Sequence, residues 1–304
     1  MKEFQYSETS SNEQPTAIVT GANAGLGFET TKALAAEGFK VIMACRDLEK
    51  AKEARQQILN WHGNAKLEIL ELDLASLESV RSFASKFKTK NDQLDLLINN
   101  AGVMMPPYQK TEDGFELQLG VNYLGHFLLT GLLEEELTTS KSSRIVTLSS
   151  IANKNAEIDF NDLQSEKSYS KFKAYGQSKL ACLLFSLELE RRLKANSLSY
   201  VSSLAAHPGV SSTELMRHLP GWLMLIAKPV EPFISHSAEK GAQPTLKAAL
   251  DKELYGGSYI GPDGFREMKG KPAKAEIARQ AKNKETAAKL WAVSEDLTGI
   301  KFLS

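Results

Sequence analysis

Cysteine is almost missing from this chain: Cys45 and Cys182 are the only two in 304 residues. Two thiols, one in a predicted strand and one in a predicted helix, offer neither a disulfide framework nor metal-ligand spacing. Both read as buried thiols of a reducing cytosol. Net charge is missing too, since 37 Lys plus Arg balance 37 Asp plus Glu. No global basic field therefore draws the chain to nucleic acid, and the local cluster from Lys269 to Lys284 reads as a solvated helical face. No apolar run approaches the roughly 20 residues that span a bilayer. Met1 to Gln14 lacks the apolar core of a signal peptide and reads as a flexible N-terminal arm. Among the five histidines, His62, His218 and His236 show no metal-like grouping, His126 packs within its helix, and His207 shapes the turn before Pro208. Internal repeats, low-complexity tracts and a dividing linker are absent. The expectation is one domain over residues 15–304 of a cytoplasmic protein, with no metal.

What is present is alternation. Strand patterns near residues 16–20, 40–45, 67–71, 94–98, 144–149 and 199–206 interleave with helical patterns near 25–37, 47–59, 76–88, 112–138, 170–196 and 236–251. Such alternation predicts an α/β fold, a Rossmann-type doubly wound parallel sheet with helices on both faces. Ligands of such sheets bind beyond the C-terminal ends of the strands. At 304 residues the chain buries about three quarters of its unfolded surface. The segment from Lys284 to Leu297, with Ala288, Trp291 and Leu297 at roughly helical spacing, predicts a closing helix on the body or a dimer contact.

The first strand runs directly into Gly21-Ala-Asn23-Ala-Gly25-Leu26-Gly27 and then a helix. Strand, glycine-rich turn and helix together form a phosphate cradle: glycines let the backbone approach a pyrophosphate, and free N–H groups at the helix start receive the anion. The spacing departs from G-x-G-x-x-G. The second strand ends in Cys45, then Arg46 and Asp47, where dinucleotide folds choose between cofactors. An acid there binds the ribose 2′-hydroxyl of NAD, whereas an arginine accommodates the 2′-phosphate of NADP. Arg46 favours NADP(H); Asp47, which points away or caps the next helix, leaves NAD(H) possible.

Tyr175 and Lys179 stand four apart in a helical pattern and share a face. A phenol of ordinary pKa about 10 is a poor proton donor near neutrality. A fixed cation beside it stabilises the phenolate and makes it serviceable. On its own the pair could be no more than an exposed polar couple.

Taken together, Thr20-Gly21-Ala-Asn-Ala-Gly25-Leu-Gly27, Asp73-Leu74, Asn99-Asn100-Ala101-Gly102, Asn122, Ser149-Ser150, Tyr175-x-x-x-Lys179 and Pro208-Gly209 resemble the short-chain dehydrogenase/reductase family over nearly the whole length. Ala-Cys-Arg46, Asn122-Tyr-Leu-Gly-His-Phe127 and His207-Pro-Gly-Val210 look like its retinol dehydrogenase-like branch. Light-dependent protochlorophyllide reductases share much of this vocabulary, but they carry a cysteine where Val210 stands. The resemblance implies a catalytic set of Asn122, Ser150, Tyr175 and Lys179. Tyr175 would be the general acid in carbonyl reduction, Ser150 would hold the carbonyl oxygen, and Lys179 would bind the nicotinamide ribose and acidify Tyr175. Asn122 would position a water that continues the proton path. It also implies that Asp73 and Leu74 lie by the adenine and that Asn100, Ala101 and Gly102 lie by the adenosine ribose. Pro208 and Gly209 would flank the nicotinamide, with Val210 also at the cofactor and Thr213 near the carboxamide or phosphates. Strand alternation sends Ser149 and Ser150 to opposite faces, and Ser150 is chosen because the family's active serine is usually the second of such a pair.

Two hydroxyl donors aimed at an oxygen that gains charge stabilise a transition state more than a ground state. The implied activity is an oxidoreductase interconverting a carbonyl and an alcohol. The rival is a catalytically weak dinucleotide-binding sensor or scaffold. Between Ser150 and Tyr175 lie 24 residues, roughly double the interval of the simplest members, as retinol dehydrogenase-like members also have. This insert forms a wall of the substrate mouth or a plain surface excursion. The apolar run Leu219 to Ala227, within residues 211–235, has three readings: a substrate lid, a core or interface helix, or a membrane-surface contact. As a lid, Trp222, Leu223 and Met224 would favour an apolar carbonyl or alcohol. Family resemblance suggests a homodimer or homotetramer, with a monomer also open.

Overall fold

The computed structural model describes residues 14–210 and 237–303. The N-terminal arm, the 211–235 lid and Thr213, His218 and His236 fall outside the described residues, apart from Gln14. Aliphatic runs such as Thr-Ala-Ile-Val-Thr are buried along their whole length, as strands covered on both faces must be. The strands are β1 (Thr16–Thr20), β2 (Lys40–Cys45), β3 (Lys66–Glu71), β4 (Leu96–Asn99), β5 (Ser143–Leu148), β6 (Val201–Ala206), β7 (Tyr259–Pro262) and β8 (Pro272–Lys274). They form one sheet in the order β3-β2-β1-β4-β5-β6-β7-β8, parallel except for the β7/β8 hairpin.

Register sorts the core into two layers. Ile18 pairs with Ile42 and Leu97, and one residue on Val19 pairs with Met43 and Ile98. The first set joins Phe83, Phe127, Phe185 and Trp291 in one cluster; the second joins Leu34, Ile58 and Leu246 in the other. Helices α1 (Gly25–Ala36) and α2 (Leu48–Trp61) therefore cover one face, and α3 (Leu77–Lys88) the opposite one. Asp47 caps α2 by accepting from the Lys50 N–H at 3.1 Å.

The expected helix over 112–138 is not continuous. Glu116 accepts from the Gln118 and Leu119 N–H groups at 2.9 and 2.8 Å, and α4 (Leu117–Leu119) begins only there. A π-helical turn, Gly120–Leu124, widens the coil before α5 (Gly125–Leu132), and α6 (Glu134–Thr139) follows after a break at Leu133. The 25-residue α7 (Lys171–Ala195) carries the insert's far end into the core. Next come α8 (Ala238–Leu250) and α9 (Lys284–Thr298).

Two readings of the tail change. Lys269 to Lys284 is not a helical face: β8 and a 3-10 turn at Arg279–Lys282 occupy it. The closing helix is a core element, but its buried face is Ala287, Leu290, Trp291, Ser294 and Thr298, with Ala288 and Leu297 only partly covered. Trp291 sits 5.0 Å from the Phe127 ring and 4.7 Å from the Phe302 ring, an aromatic cluster that binds α9 to α5 and the chain's end. No helix among the described residues is long and apolar enough to cross a membrane.

Candidate active site

Parallel strands put all their C-terminal ends on one edge, so the turns that follow them assemble there. Gly21 follows β1, Arg46 follows β2, Asp73 comes soon after β3, Asn100 follows β4, Ser150 comes two residues after β5, and His207-Pro208 follows β6. Because β1, β4, β5 and β6 are consecutive neighbours, four of these turns line up side by side.

The glycine turn is locked to the segment after β4. The Thr20 hydroxyl accepts from the Asn100 and Ala101 N–H groups, both at 2.9 Å, while the Asn100 side chain donates to the Thr20 carbonyl at 2.7 Å. Gly21 and Gly25 hold φ of +67° and +54°, conformations that cost other residues strain. At Gly27 a Cβ would lie 2.2 Å from the Gly21 carbonyl oxygen, so helix and turn touch with no room for a side chain. Ala24, the N-cap of α1, supplies no side-chain acceptor for the helix's first N–H groups. Those donors are ready for an anion. Asn23 and Leu26 are partly exposed beside them. A dinucleotide pyrophosphate fits this cradle.

At the outer end, the Arg46 guanidinium stands 3.9 Å from the Asp73 carboxylate, its side chain 73% exposed. Asp73 also accepts from the Ala75 N–H at 2.9 Å. Leu74 is buried, packed where a Cβ on Gly125 would collide with it. Asp47 is engaged elsewhere, taking the Lys50 N–H and its ammonium at 2.6 Å; that ammonium's hydrogen bond holds the Asp47 carboxyl below its usual range. Burial pushes the Cys45 thiol up to about 11, which makes it inert.

Lys179 gathers the catalytic candidates. Its ammonium donates to the Leu148 carbonyl at 3.1 Å and lies 6.0 Å from the Tyr175 ring centre. A Cβ on exposed Gly102 would lie 3.4 Å from it and 3.0 Å from the Asn122 side-chain oxygen. Asn122, Ser150, Tyr175 and Lys179 are all buried, none more than 6% exposed. Asn122 spends its amide on protein: it accepts from the Val103 N–H at 2.7 Å and donates to the Val103 carbonyl and to Ser178 at 3.0 and 2.9 Å.

The two serines differ as alternation requires. Ser149 donates to the Lys179 carbonyl at 2.7 Å and accepts from Asn153 at 3.3 Å. The Ser150 hydroxyl accepts only the Ala152 N–H at 3.3 Å among the bonds seen in the described residues. Its own proton thus has no acceptor there.

The insert is pinned to the loop after β4. Tyr169 donates to the Pro106 carbonyl at 2.8 Å, receives the Gln118 amide at 3.1 Å, and meets Tyr108 edge-on at 5.1 Å.

Beyond β6, Gly209 adopts φ +75° and donates to His207 Nδ1 at 3.2 Å. The Val210 N–H reaches the Met268 carbonyl at 2.8 Å. His207 then carries its proton on Nε2 and donates it to Glu267 at 3.0 Å; Lys154, four residues past Ser150, donates to the same carboxylate at 3.0 Å. This His207–Glu267–Lys154 cluster was invisible in the sequence, where its members lie far apart without a shared motif. Burial works to raise the Glu267 carboxyl, but the bonds from His207, the Glu276 N–H and Lys154 outweigh it and pull it from 4.5 to about 2. A depressed carboxylate contributes stability above its unfolded pKa and loses it as pH falls through the folded one. Glu267→Gln should therefore be less stable than wild type at pH 6, and the gap should close between pH 4.5 and about 2. Denaturant titrations across that range check this; an equal gap at both ends would contradict it.

Residues 15–223 match the family described as short chain dehydrogenase. The chain is 44% identical over 287 residues to human retinol dehydrogenase 12, covering 94% of this chain and 86% of that protein. It is also 44% identical over 297 residues to human retinol dehydrogenase 13, covering 94% and 85%. Among solved structures, an uncharacterised protein from Mycobacterium paratuberculosis superposes with a TM-score of 0.79 at 42% identity, covering 96% of each chain. The chain belongs to the short-chain dehydrogenase/reductase family of NAD(P)(H)-using oxidoreductases. Within it, the chain is retinol dehydrogenase-like, an oxidoreductase of CH–OH groups.

Proposed function

We propose that the protein interconverts an apolar aldehyde or ketone and its alcohol with NADP(H), using Tyr175 as general acid and base. The observation that carries this reading is the Lys179 ammonium, held by the Leu148 carbonyl at 3.1 Å beside the Tyr175 ring and against Gly102. When bound, the nicotinamide supplies the hydride chemistry. The chain supplies position and the proton. The ammonium favours the phenolate, so Tyr175 can release a proton to an oxygen gaining negative charge and take it back in the reverse direction. Ser150, whose proton is unspent among the described residues, donates to that same oxygen. Asn122 fixes Val103 and Ser178 beside Lys179, where a water would continue the proton path. Asn23, Gly25, Leu26 and Gly27 take the pyrophosphate, Asp73 and Leu74 the adenine, Asn100 to Gly102 the ribose, and Pro208 to Val210 the nicotinamide.

NADP(H) is favoured because Arg46 offers an exposed guanidinium while Asp47 is tied to Lys50. Arg46→Ala should raise the KM for NADPH about tenfold, roughly the worth of a charge-assisted phosphate contact, and change that for NADH by less than about twofold. Initial rates with both cofactors check it; equal effects would remove Arg46 from 2′-phosphate reading. The retinol dehydrogenases among the relatives point to long, apolar, retinoid-like substrates. A panel of retinal, medium-chain aldehydes and short aldehydes, assayed with NADPH, tests the class. Preference for the short members would contradict it.

A further inference from the structure

His126 stands in the buried part of α5, 1% exposed, and both of its ring nitrogens are used. Nδ1 lies 2.9 Å from the Asn122 carbonyl oxygen and Nε2 lies 2.9 Å from the Thr20 hydroxyl, 106 positions away in sequence. The protons can be assigned by elimination. A carbonyl only accepts, so Nδ1 carries the hydrogen and, in a neutral ring, Nε2 is an acceptor. Thr20 already gives its lone pairs to the Asn100 and Ala101 N–H groups at 2.9 Å. Its proton therefore goes out, and His126 Nε2 at 2.9 Å is nearer than the alternative Ile98 carbonyl at 3.3 Å. Every polar atom on the path agrees on one direction.

Resting on the proposed reading of the cleft, we infer that His126 is a positioning residue that joins the dinucleotide turn to the catalytic face, through Thr20 at one ring nitrogen and Asn122 at the other. The partners explain why the link matters. Thr20 holds Asn100 and Ala101 against the glycine turn. Asn122 lies in the π-helical turn Gly120–Leu124, where the regular i to i−4 ladder is broken and carbonyls turn to outside donors. Its carbonyl receives the His126 ring and the Cys182 thiol at 3.2 Å, while its amide fixes Val103 and Ser178. A shift of the turn is thus passed to the residues around Lys179 through one rigid ring.

The ring must stay neutral for this, since a second proton on Nε2 would face a hydroxyl with no lone pair left. Burial, the largest influence, holds its pKa down at about 4; the bond to Asn122 opposes and the Lys179 charge adds to the depression. The ring is neutral throughout the physiological range.

Two substitutions cut the link at opposite ends. His126→Asn keeps an amide donor near the place of Nδ1 and cannot reach Thr20. His126→Gln places an amide near Nε2 and drops the donor to Asn122. Thr20→Val probes the first end with the histidine intact. The measurements are the NADPH dissociation constant of the free protein by fluorescence titration, kcat and KM with an apolar aldehyde, and the melting temperature without ligand. Leaving one buried group unpaired should move the matching parameter about tenfold. His126→Asn should weaken NADPH binding by that factor, and Thr20→Val, which also takes the acceptor from the Asn100 and Ala101 N–H groups, by at least that factor, both with kcat at saturation within about threefold. His126→Gln should keep NADPH binding within about threefold and lose about tenfold in kcat. The double variant Thr20→Val with His126→Asn should bind NADPH no more weakly than Thr20→Val alone. The inference is overturned if wild type binds NADPH but His126→Asn and His126→Gln change the same parameters equally, in step with melting temperature, or change neither. If wild type binds no dinucleotide, the reading of the cleft fails first and takes this inference with it. Should the His126 variants not fold, Thr20→Val alone decides: unchanged NADPH binding would overturn the link.

Discussion

Tyr175→Phe is expected to lower turnover by about a thousandfold, the middle of the range for a positioned proton donor, while NADPH binds within a few-fold of wild type. The substitution removes one oxygen from a side chain that is 3% exposed and changes no other volume, so the helix and its packing survive. What goes is the proton. An oxygen receiving hydride would have to draw it from water, with Ser150 left as the remaining side-chain donor. Lys179 keeps its bond to Leu148 and its place beside Gly102, which is why cofactor affinity should hold. Steady-state kinetics beside an equilibrium titration of NADPH separate the two effects. Turnover equal to wild type would show that another group is the acid.

Gly27→Ala is expected to weaken cofactor binding by at least about a hundredfold. Its Cβ would lie 2.2 Å from the Gly21 carbonyl oxygen, 2.8 Å from the Gly21 carbonyl carbon and 2.6 Å from the Asn100 amide nitrogen. Two of these are backbone atoms, which cannot swing aside as a flexible side chain can. The turn must open, and the bonds between Asn100 and Thr20 stretch with it. Overpacking of this severity costs about 3 kcal/mol or more, and displaced phosphate donors should weaken NADPH by at least about a hundredfold. Gly38→Ala is the control. Its φ is positive, +87°, which a side chain tolerates poorly, but a Cβ there meets nothing within 4 Å; it should lose about 1 kcal/mol of stability and bind NADPH normally. Calorimetric titration and thermal melts of both variants check this, and equal NADPH binding by Gly27→Ala and wild type would contradict it.

The parts of this molecule legible in the sequence are those governed by local pattern. Continuous aliphatic runs such as Lys40-Val-Ile-Met-Ala-Cys45 announce strands buried on both faces, and their alternation with helices implies the parallel sheet whose edge collects Gly21, Asn100 and Ser150. The broken helix was illegible because Gly120 and Gly125 are set by what packs on them, Thr111 and Leu74, not by a stop signal of their own. The short strands β7 and β8 carry too few residues to show a period. Thr20 gave a faint signal, a hydroxyl closing an apolar strand, and His126 gave another, an imidazole among leucines. Neither reveals that the two touch, because tertiary folding alone brings together residues 106 positions apart. The same holds for His207, Glu267 and Lys154.

In the proposed reaction this cleft moves a hydride between NADP(H) and a carbonyl carbon. NADPH carrying deuterium at the transferable position of the nicotinamide, incubated with the enzyme and an apolar aldehyde, tests it by mass spectrometry of the product. The predicted result is an alcohol with one deuterium on its carbinol carbon, lost with Tyr175→Phe. Alcohol without deuterium, or NADPH consumed with no alcohol formed, would contradict it.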